Sequence, residues 1–343
     1  MNILVSVIMS VCMLIVTLYG QTVDISAALV RNDTRTDADS VTMPMPGGSD
    51  PWFIEHEGMY YYCYSIGNGV AVRKSDRVST LMDGEETIAY RTPGGTDHSH
   101  EYWAPELHFI NGKWYIYVAA DAGDNASHRM FVFSSDTPDG EFEFIGKISD
   151  SSDNWAIDGT VLQLENELYF IWSGWSDKEN TDKQNLYIAH MSDPARIDSE
   201  RVMISSPDRY WEKKTAAINE GPEVLKKGDE TYIIYSASAS WTDDYCLGML
   251  KLTGKDALRS DCWTKCPVPV LSKTKTVFGP GHCSFLMNEG KDGGYIIYHA
   301  NSESGSGWNG RQVRIQPFTF INNIPVFGKP LNNGTTVKTG DTL

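Results

Sequence analysis

Short apolar runs rich in Tyr, Val, Ile, Phe and Trp recur from about residue 45 to about residue 329. Clusters of Gly, Asn and Asp separate them. Aromatic and β-branched residues favour strands, and turn residues on both sides limit each strand to a few residues. We find no long amphipathic helix and no linker rich in Pro, Gly or Ser. The pattern therefore predicts an all-β fold in a single domain.

An internal repeat organises these predicted strands. Each copy opens with a polar residue, continues as a short apolar strand, turns at a Gly, Asn or Asp cluster and enters a second strand rich in Tyr and Ile. Several copies continue into a third strand. The copies cover residues 50–65, 105–120, 157–174, 222–239 and 281–300.

The polar residues that open the copies are spaced by 56, 52, 65 and 59 residues, which accommodates four short strands and their loops. Periods of this length are too long for the coils of a β-helix, and a sandwich gives no reason to repeat polar openers. The repeat predicts a five-bladed β-propeller whose first strands line a central channel, where the openers should cluster. The openers are Asp50, Glu106, Asp158, Glu223 and His282.

The first residues of the chain predict a secretion signal. An apolar run ends near Gly20 and has the length of a signal-peptide core, which is short for a membrane span. The run contains no Lys or Arg, so a signal anchor is the competing interpretation. We expect a signal peptide at residues 1–20, a polar segment at 21–45 and the propeller domain at 46–343.

Charge and composition narrow the range of partners. The formal net charge is −16, and an acidic protein repels phosphate backbones and anionic membranes. We therefore expect neither nucleic acid nor, after signal removal, a membrane as partner. The 10 Trp and 17 Tyr offer flat faces with a polar edge, which suit a neutral sugar. Sequons at Asn32, Asn125 and Asn333 predict a secreted, extracellular glycoprotein.

Acidic openers crowded into one channel also predict a reaction. Neighbouring carboxylates raise one another's pKa, which a purely structural propeller would avoid. Cleavage of a glycosidic bond uses this arrangement, because one carboxyl must be protonated to donate to the leaving oxygen while another must be ionised to activate water. A third carboxylate nearby keeps the acid protonated near neutral pH. The pattern favours a glycoside hydrolase.

Five motifs, each opening one copy of the repeat, together resemble glycoside hydrolase family 43, whose members are five-bladed propellers. The resemblance covers about residues 45–330. Each motif alone is weak, but five in this order are specific. The tracts SASASWTDDYCLGML and FGPGHCSF look most similar to the exo-acting α-L-arabinofuranosidase branch. The motifs are SDPWFI (49–54), YWAPELH (102–108), IDGTVL (157–162), INEGPEVL (218–225) and GPGHCSF (279–285).

The resemblance implies catalytic roles for three acidic residues. Asp50 would be the general base that activates water, and Glu220 would be the general acid. Asp158 would raise the pKa of the acid and orient it. Glu223 is a rival for the acid because the repeat alignment makes it an opener, but we follow the family motif. The family inverts the anomeric configuration, so the base and acid carboxyls should stand roughly 6.5–9.5 Å apart.

Further residues are candidates for substrate binding. Trp103 would stack on a sugar face, and Glu106 would support the site from behind. The resemblance implies that His282 lies near the axis, either beside a central ion such as structural Ca²⁺ or bonded to a catalytic carboxylate. Arg311 or Arg314 would reach the axis from the last blade, and we prefer Arg311. The reaction itself requires no cofactor.

The hypothesis is a secreted, inverting enzyme that releases α-L-arabinofuranose from plant cell-wall arabinan or its oligosaccharides. Two alternatives within the family are a β-xylosidase and an endo-arabinanase. An alternative of another class is a non-catalytic carbohydrate-binding propeller, which would keep the aromatic residues and lose the carboxylates. All three expected acids are present in the sequence.

Overall fold

The structure is a computed structural model that describes residues 39–288 and 290–339. The predicted signal peptide at 1–20, the sequon at Asn32 and most of the polar segment at 21–45 lie outside the described residues. Within the described part of the chain, no helix is long and apolar enough to cross a membrane.

The first half of the chain forms two four-stranded antiparallel sheets after a short initial strand, β1 (Ser40–Thr42). The first sheet contains β2 (Trp52–His56), β3 (Met59–Ser65), β4 (Gly69–Ser75) and β5 (Glu85–Arg91). The second sheet contains β6 (His100–Ile110), β7 (Lys113–Asp121), β8 (Arg129–Ser135) and β9 (Glu143–Ile148). Neighbouring strands within each sheet are consecutive in sequence, so each sheet is one contiguous piece of chain.

The remaining three blades follow in the same manner, and the third and fourth are joined into one sheet by a short parallel pairing of Lys183 and Gln184 with Ala217 and Ile218. The third contains β10 (Ala156–Leu164), β11 (Glu167–Gly174) and β12 (Lys183–Asp193), with β13 (Arg196–Ile197) and β14 (Val202–Ser205) on its outer edge. The fourth contains β15 (Ala217–Lys227), β16 (Glu230–Ala237), β17 (Cys246–Leu252) and β18 (Trp263–Lys265). The fifth contains β19 (Phe278–Met287), β20 (Gly293–Asn301), β21 (Arg311–Ile321) and β22 (Ile324–Val326), and β23 (Thr336–Lys338) follows it.

In the part of the chain that the structure describes, five short 3₁₀ helices lie in the connections between strands. They are Val78–Asp83, Asn125–Ser127, Tyr210–Lys213, Ser260–Cys262 and Gly307–Gly310.

Buried apolar clusters join the sheets into a ring. Each pair of neighbouring sheets shares one cluster, and a fifth cluster joins the last sheet to the first. In this closing cluster, Phe53 and Tyr62 of the first sheet pack with Ile297 and Ile315 of the fifth. Burying such side chains is the main favourable term in folding. The prediction of an all-β, five-bladed propeller is confirmed.

The two ends of the described chain close the ring from outside. Strand β1 pairs antiparallel with β23, and Val41 lies opposite Val337. Both valines are buried in the closing cluster. The two ends of the described chain therefore pack over the junction between the first and fifth blades. Their strands form a separate two-stranded sheet and belong to neither four-stranded blade.

Serine hydroxyls connect three of the blades to the inner strand of the next blade around the ring. The Ser173 hydroxyl donates to the carbonyl of Asn219, and the Ser236 hydroxyl accepts the backbone N–H of His282. The Ser284 hydroxyl of the fifth blade accepts the backbone N–H of Phe53 in the first. These bonds hold the inner strands in a fixed mutual position around the channel, where charged residues meet.

Candidate active site

The same backbone conformation recurs once in each blade, just before the inner strand of the first blade and within the inner strands of the other four. Asp50, Ala104, Asp158, Gly221 and His282 have left-handed φ values of 52°, 45°, 54°, 51° and 48°. In β6, β10, β15 and β19 the strand register shifts at this point, which marks a bulge. Bulges redirect side chains and are frequent beside active sites. The five residues are therefore structural equivalents, one for each blade.

This equivalence corrects the repeat alignment in two blades. Glu106 and Glu223 follow the equivalent positions, Ala104 and Gly221, by two residues, so they are not the openers of their blades. Both glutamates are buried, and burial raises the pKa of each well above the ordinary value. The Glu106 carboxylate lies 2.8 Å from the ring of His108. The two glutamates lie close enough together that the charge of Glu106 adds to the raised pKa of Glu223.

Asp50 lies among three basic side chains. Its Oδ1 atom is 3.2 Å from His282 Nδ1, 3.3 Å from His299 Nδ1 and 3.4 Å from Arg311 Nη1. The backbone N–H of Asp50 donates to His299 Nδ1 at 3.1 Å. Burial alone would raise the pKa of Asp50, but His282, His299 and Arg311 together hold it well below its usual range. Asp50 is therefore a carboxylate at any pH near neutrality.

Glu220 is buried and has the opposite electrostatic environment. The hydroxyl of Tyr245 donates to its Oε1 atom at 2.8 Å. Burial, with a contribution from the charge of Asp50, raises the pKa of Glu220 to about 7, although Tyr245 and Arg311 oppose the shift. Near neutral pH this carboxyl therefore retains a proton for a substantial part of the time.

Asp158 connects these two acids. Its Oδ2 atom accepts the backbone N–H of Gly221, the residue after Glu220, at 3.0 Å. The same atom lies 4.0 Å from His282 Nδ1, which also contacts Asp50. Burial raises the pKa of Asp158 to about 7, and the charges of Glu220 and Asp50 act in the same direction. Three acidic residues from three blades therefore meet in one cluster.

The approach of the fourth blade to the fifth depends on Gly221. A Cβ atom at this position would lie 3.1 Å from His282 Nδ1 and 3.1 Å from the Ser236 hydroxyl. The φ of +51° is also unfavourable for other residues. The absence of a side chain lets the Gly221 N–H reach Asp158, and it brings Glu220 beside the channel.

The two candidate arginines have different surroundings in the structure. Arg311 lies beside Asp50, and its Nε donates to the carbonyl of Trp308 at 3.4 Å. Arg314 is fully buried away from Asp50, and its guanidinium donates to the Leu331 carbonyl and to Asn333 Oδ1. Of the two, Arg311 is the one that reaches the acidic cluster.

Trp103 lies at the start of the second blade, directly before Ala104. Its ring stacks on His128 with centroids 4.0 Å apart, and its Nε1 donates to Glu101. One face of the indole is therefore already covered by protein. Stacking of Trp103 on a sugar stays a prediction that concerns the other face.

Sequence reasoning missed two residues of the cluster, Tyr245 and His299. His299 lies near the end of the second strand of the fifth blade, opposite Gly281. The comparable positions in other blades are Ala119, Ser173 and Ser236. A histidine where other copies have Ala or Ser was a readable signal. Tyr245 lies in a loop outside the repeat, so the repeat alignment contains no signal for it.

A small open cavity of about 160 Å³ adjoins Asp50. Tyr62 and Tyr64, stacked with centroids 4.7 Å apart, form part of one wall, and Pro105 of the second blade contributes to the lining. The cavity therefore brings two aromatic side chains to the side of the Asp50 carboxylate.

The axial Ca²⁺ stays a prediction. Among residues 39–288 and 290–339, no group of three or more His, Cys, Asp and Glu side chains is arranged to hold a metal ion. Ca²⁺ takes six to eight oxygen ligands, and His282 presents a nitrogen to two carboxylates. In the structure, His282 contacts the carboxyl groups of Asp50 and Asp158.

Comparison with known proteins gives consistent results. The sequence model of the family described as Glycosyl hydrolases family 43 matches residues 45–325. The chain is 31% identical to an extracellular exo-α-(1→5)-L-arabinofuranosidase of Streptomyces avermitilis and 29% identical to α-L-arabinofuranosidase 43 of Humicola insolens. Each match covers 84% of this chain and 63% of the relative, so the chain spans less than two thirds of their length.

A solved structure is also similar. The crystal structure of an α-L-arabinofuranosidase from Lactobacillus brevis superimposes with a TM-score of 0.78 and is 32% identical. The match covers 84% of this chain and 96% of that one.

Proposed function

The chain belongs to family 43 of the glycosyl hydrolases, and from this premise we propose that it is a secreted, inverting exo-α-L-arabinofuranosidase. Its substrate is arabinan or arabino-oligosaccharide from plant cell walls. The similar proteins from Streptomyces avermitilis, Humicola insolens and Lactobacillus brevis are all named for arabinofuranosidase activity. The first is also named extracellular, in agreement with the predicted signal peptide.

The observation that carries this proposal is the pair of opposite pKa shifts in one cluster. Asp50 has a pKa well below its usual range, whereas the pKa of Glu220 is raised to about 7. Acid and base roles separate where neighbouring environments push two pKa values apart. An ionised Asp50 is suited to accept a proton from water, and a protonated Glu220 is suited to donate one.

The reaction follows from these two states. Asp50 removes a proton from a water molecule as the water oxygen bonds to the anomeric carbon. Glu220 delivers its proton to the glycosidic oxygen as the bond between that oxygen and the anomeric carbon breaks. Attack and departure occur on opposite faces of the sugar, so the configuration inverts. Asp158 orients Glu220 by binding the N–H of the following residue, while His282 and Arg311 bind sugar hydroxyls beside Asp50.

Two isosteric variants test the role of each acid with two substrates. In Asp50→Asn, kcat should fall by on the order of 10²–10⁴ on both α-1,5-arabinobiose and p-nitrophenyl α-L-arabinofuranoside, because neither reaction proceeds without an activated water. In Glu220→Gln, the loss should be severe on arabinobiose and much smaller on the nitrophenyl substrate. Nitrophenolate departs without protonation, whereas a sugar alkoxide does not.

Glu223→Gln is the matched control for Glu220→Gln. Glu223 is a buried glutamate of the same strand whose pKa is raised well above normal, so the amide replaces a neutral carboxylic acid. It should keep near-normal kcat. An inactive Glu223→Gln beside an active Glu220→Gln would refute the assignment of the acid.

Wild-type activity on other substrates tests the substrate class. Cleavage of p-nitrophenyl β-D-xyloside alone would identify a β-xylosidase, and rapid depolymerisation of linear arabinan without release of monosaccharide would identify an endo-arabinanase. Sugar binding without any hydrolysis would identify a binding protein. The anomer first released, followed by proton NMR, tests inversion.

A further inference from the structure

Two tryptophans stand exposed at the end of the propeller that contains the acidic cluster. Among the described residues, eight large hydrophobic side chains are exposed, and the two tryptophans of this set are Trp241 and Trp308, at 42% and 57%. Their rings meet edge to face with centroids 5.5 Å apart. Exposing this much indole to water is unfavourable, and an exposed pair of tryptophans marks an interaction site more often than a single apolar residue does.

The topology places both tryptophans in loops at the end of the propeller where the acidic cluster lies. Trp241 lies in the loop 238–245, which leaves β16 at Ala237, opposite the residue before Glu220. The same loop ends with Tyr245, whose hydroxyl holds Glu220. The loop that carries the catalytic acid's hydrogen-bond donor therefore also carries one half of the exposed pair.

The second tryptophan is connected to the base in a similar way. Trp308 lies in the loop 302–310 between β20 and β21. Its carbonyl accepts a hydrogen bond from Arg311, which in turn contacts Asp50. The pair thus lies between the two loops that support the acid and the base.

Polar bonds hold the two loops together. Asp243 accepts the backbone N–H of Gly305 at 2.9 Å and the hydroxyl of Ser304. Trp308 Nε1 donates to the Ser240 hydroxyl at 3.0 Å. These contacts fix the tryptophans before any ligand arrives, which lowers the entropy lost on binding.

We propose that Trp241 and Trp308 form the binding site for the leaving-group side of a linear, neutral oligosaccharide, with the sugar next to the scissile bond stacked on the indoles. This rests on the proposed function. The arrangement suits a sugar chain because indoles present apolar faces with a polar edge. The chain's net charge of −16 opposes binding of a polyanion. The tryptophan pair therefore affects only substrates that have a further sugar beyond the arabinose that is released.

The test compares a short and a long substrate in single variants. In Trp241→Ala and Trp308→Ala, KM for α-1,5-arabinotetraose should rise roughly tenfold, the size expected for loss of a central aromatic contact. The values of kcat on the tetramer and kcat/KM on methyl α-L-arabinofuranoside should stay within about twofold of wild type, because neither depends on stacking outside the first subsite. Trp308→Phe should recover part of the loss.

Phe109→Ala is the matched control. Phe109 is also 42% exposed, and it lies near the turn that joins β6 to β7, at the opposite end of the propeller. Its loss should leave both substrates unaffected. Equal losses on both substrates in the tryptophan variants, or no loss on the tetramer, would overturn the proposal.

Calorimetric titration separates this proposal from the proposed function. Arabinotetraose is titrated into wild type, Trp241→Ala and Trp308→Ala in the Glu220→Gln background, where turnover does not obscure binding. Weaker binding in the tryptophan variants supports the site even if the wild type hydrolyses no arabinoside. Equal binding in all three overturns it whether or not the enzyme is active.

Discussion

The hydrogen bond between Tyr245 and Glu220 sets the pH range in which Glu220 can act as an acid. The Tyr245 hydroxyl donates to Glu220 Oε1 at 2.8 Å, and such a bond favours the ionised carboxylate. Tyr245→Phe removes this donor and keeps the ring that stacks on His299, with centroids 5.6 Å apart. The substitution therefore tests one interaction without emptying the space around it.

The expected magnitude follows from the strength of one hydrogen bond to a charged group. Such a bond contributes about 1.5–3 kcal/mol, and one pKa unit corresponds to about 1.4 kcal/mol. The pKa of Glu220 should therefore rise by about 1–2 units from its value of about 7. Activity requires the protonated acid, so the rate falls as pH rises through this pKa. The alkaline limb of kcat/KM should move upward by the same amount.

The assay is the pH dependence of kcat/KM on arabinobiose, whose leaving group requires the acid. Tyr298→Phe is the control, because Tyr298 is also buried and its hydroxyl donates to Gln316 at 2.8 Å, outside the acidic cluster. The control should keep the alkaline limb of the wild type. A limb that stays in place or moves downward in Tyr245→Phe would refute the reasoning.

Two further variants test how much stability the acidic cluster costs and how strongly its geometry controls the rate. The folded state raises the pKa of Glu220 from 4.5 to about 7, so ionisation of this carboxyl opposes folding increasingly as the pH rises between these values. Glu220→Gln removes this effect. It should stabilise the protein by up to about 3 kcal/mol at pH 8 and by much less at pH 5. Thermal unfolding at both pH values measures this, and an equal difference at the two would contradict it. Gly221→Ala should lower kcat by about 100-fold, because its Cβ would crowd His282. Gly228→Ala, with φ +56° and open space around its Cβ, is the control and should lose some stability but little activity.

The five-bladed fold was predictable because the repeat is visible in the strand pattern, but the alignment of the blades was only partly so. Asp50, Asp158 and His282 are both polar and structurally equivalent, so polarity identified them. In the second and fourth blades the equivalent residues are Ala104 and Gly221, which polarity cannot identify. The left-handed bulge decides the register there, and it is a property of the backbone.

The residue that follows each equivalent position gives a better basis for aligning the blades. The residues that follow the five equivalent positions include Pro51, Pro105 and Pro222, with Gly159 in the third blade. Alignment on these residues would have assigned all but one of the blades correctly. The position of Tyr245 could not be predicted from the repeat, because its loop approaches Glu220 only once the fourth blade is folded.

The left-handed turn shared by the five blades has an evolutionary consequence. Residues other than glycine sit in that conformation at a cost of roughly 1–2 kcal/mol each, and four of the five equivalent positions bear it. Mutation of either aspartate to glycine would relax the backbone while abolishing its charge. Selection for stability alone would therefore favour glycine at these two positions, and a descendant with that change would keep the propeller fold and lose the activity.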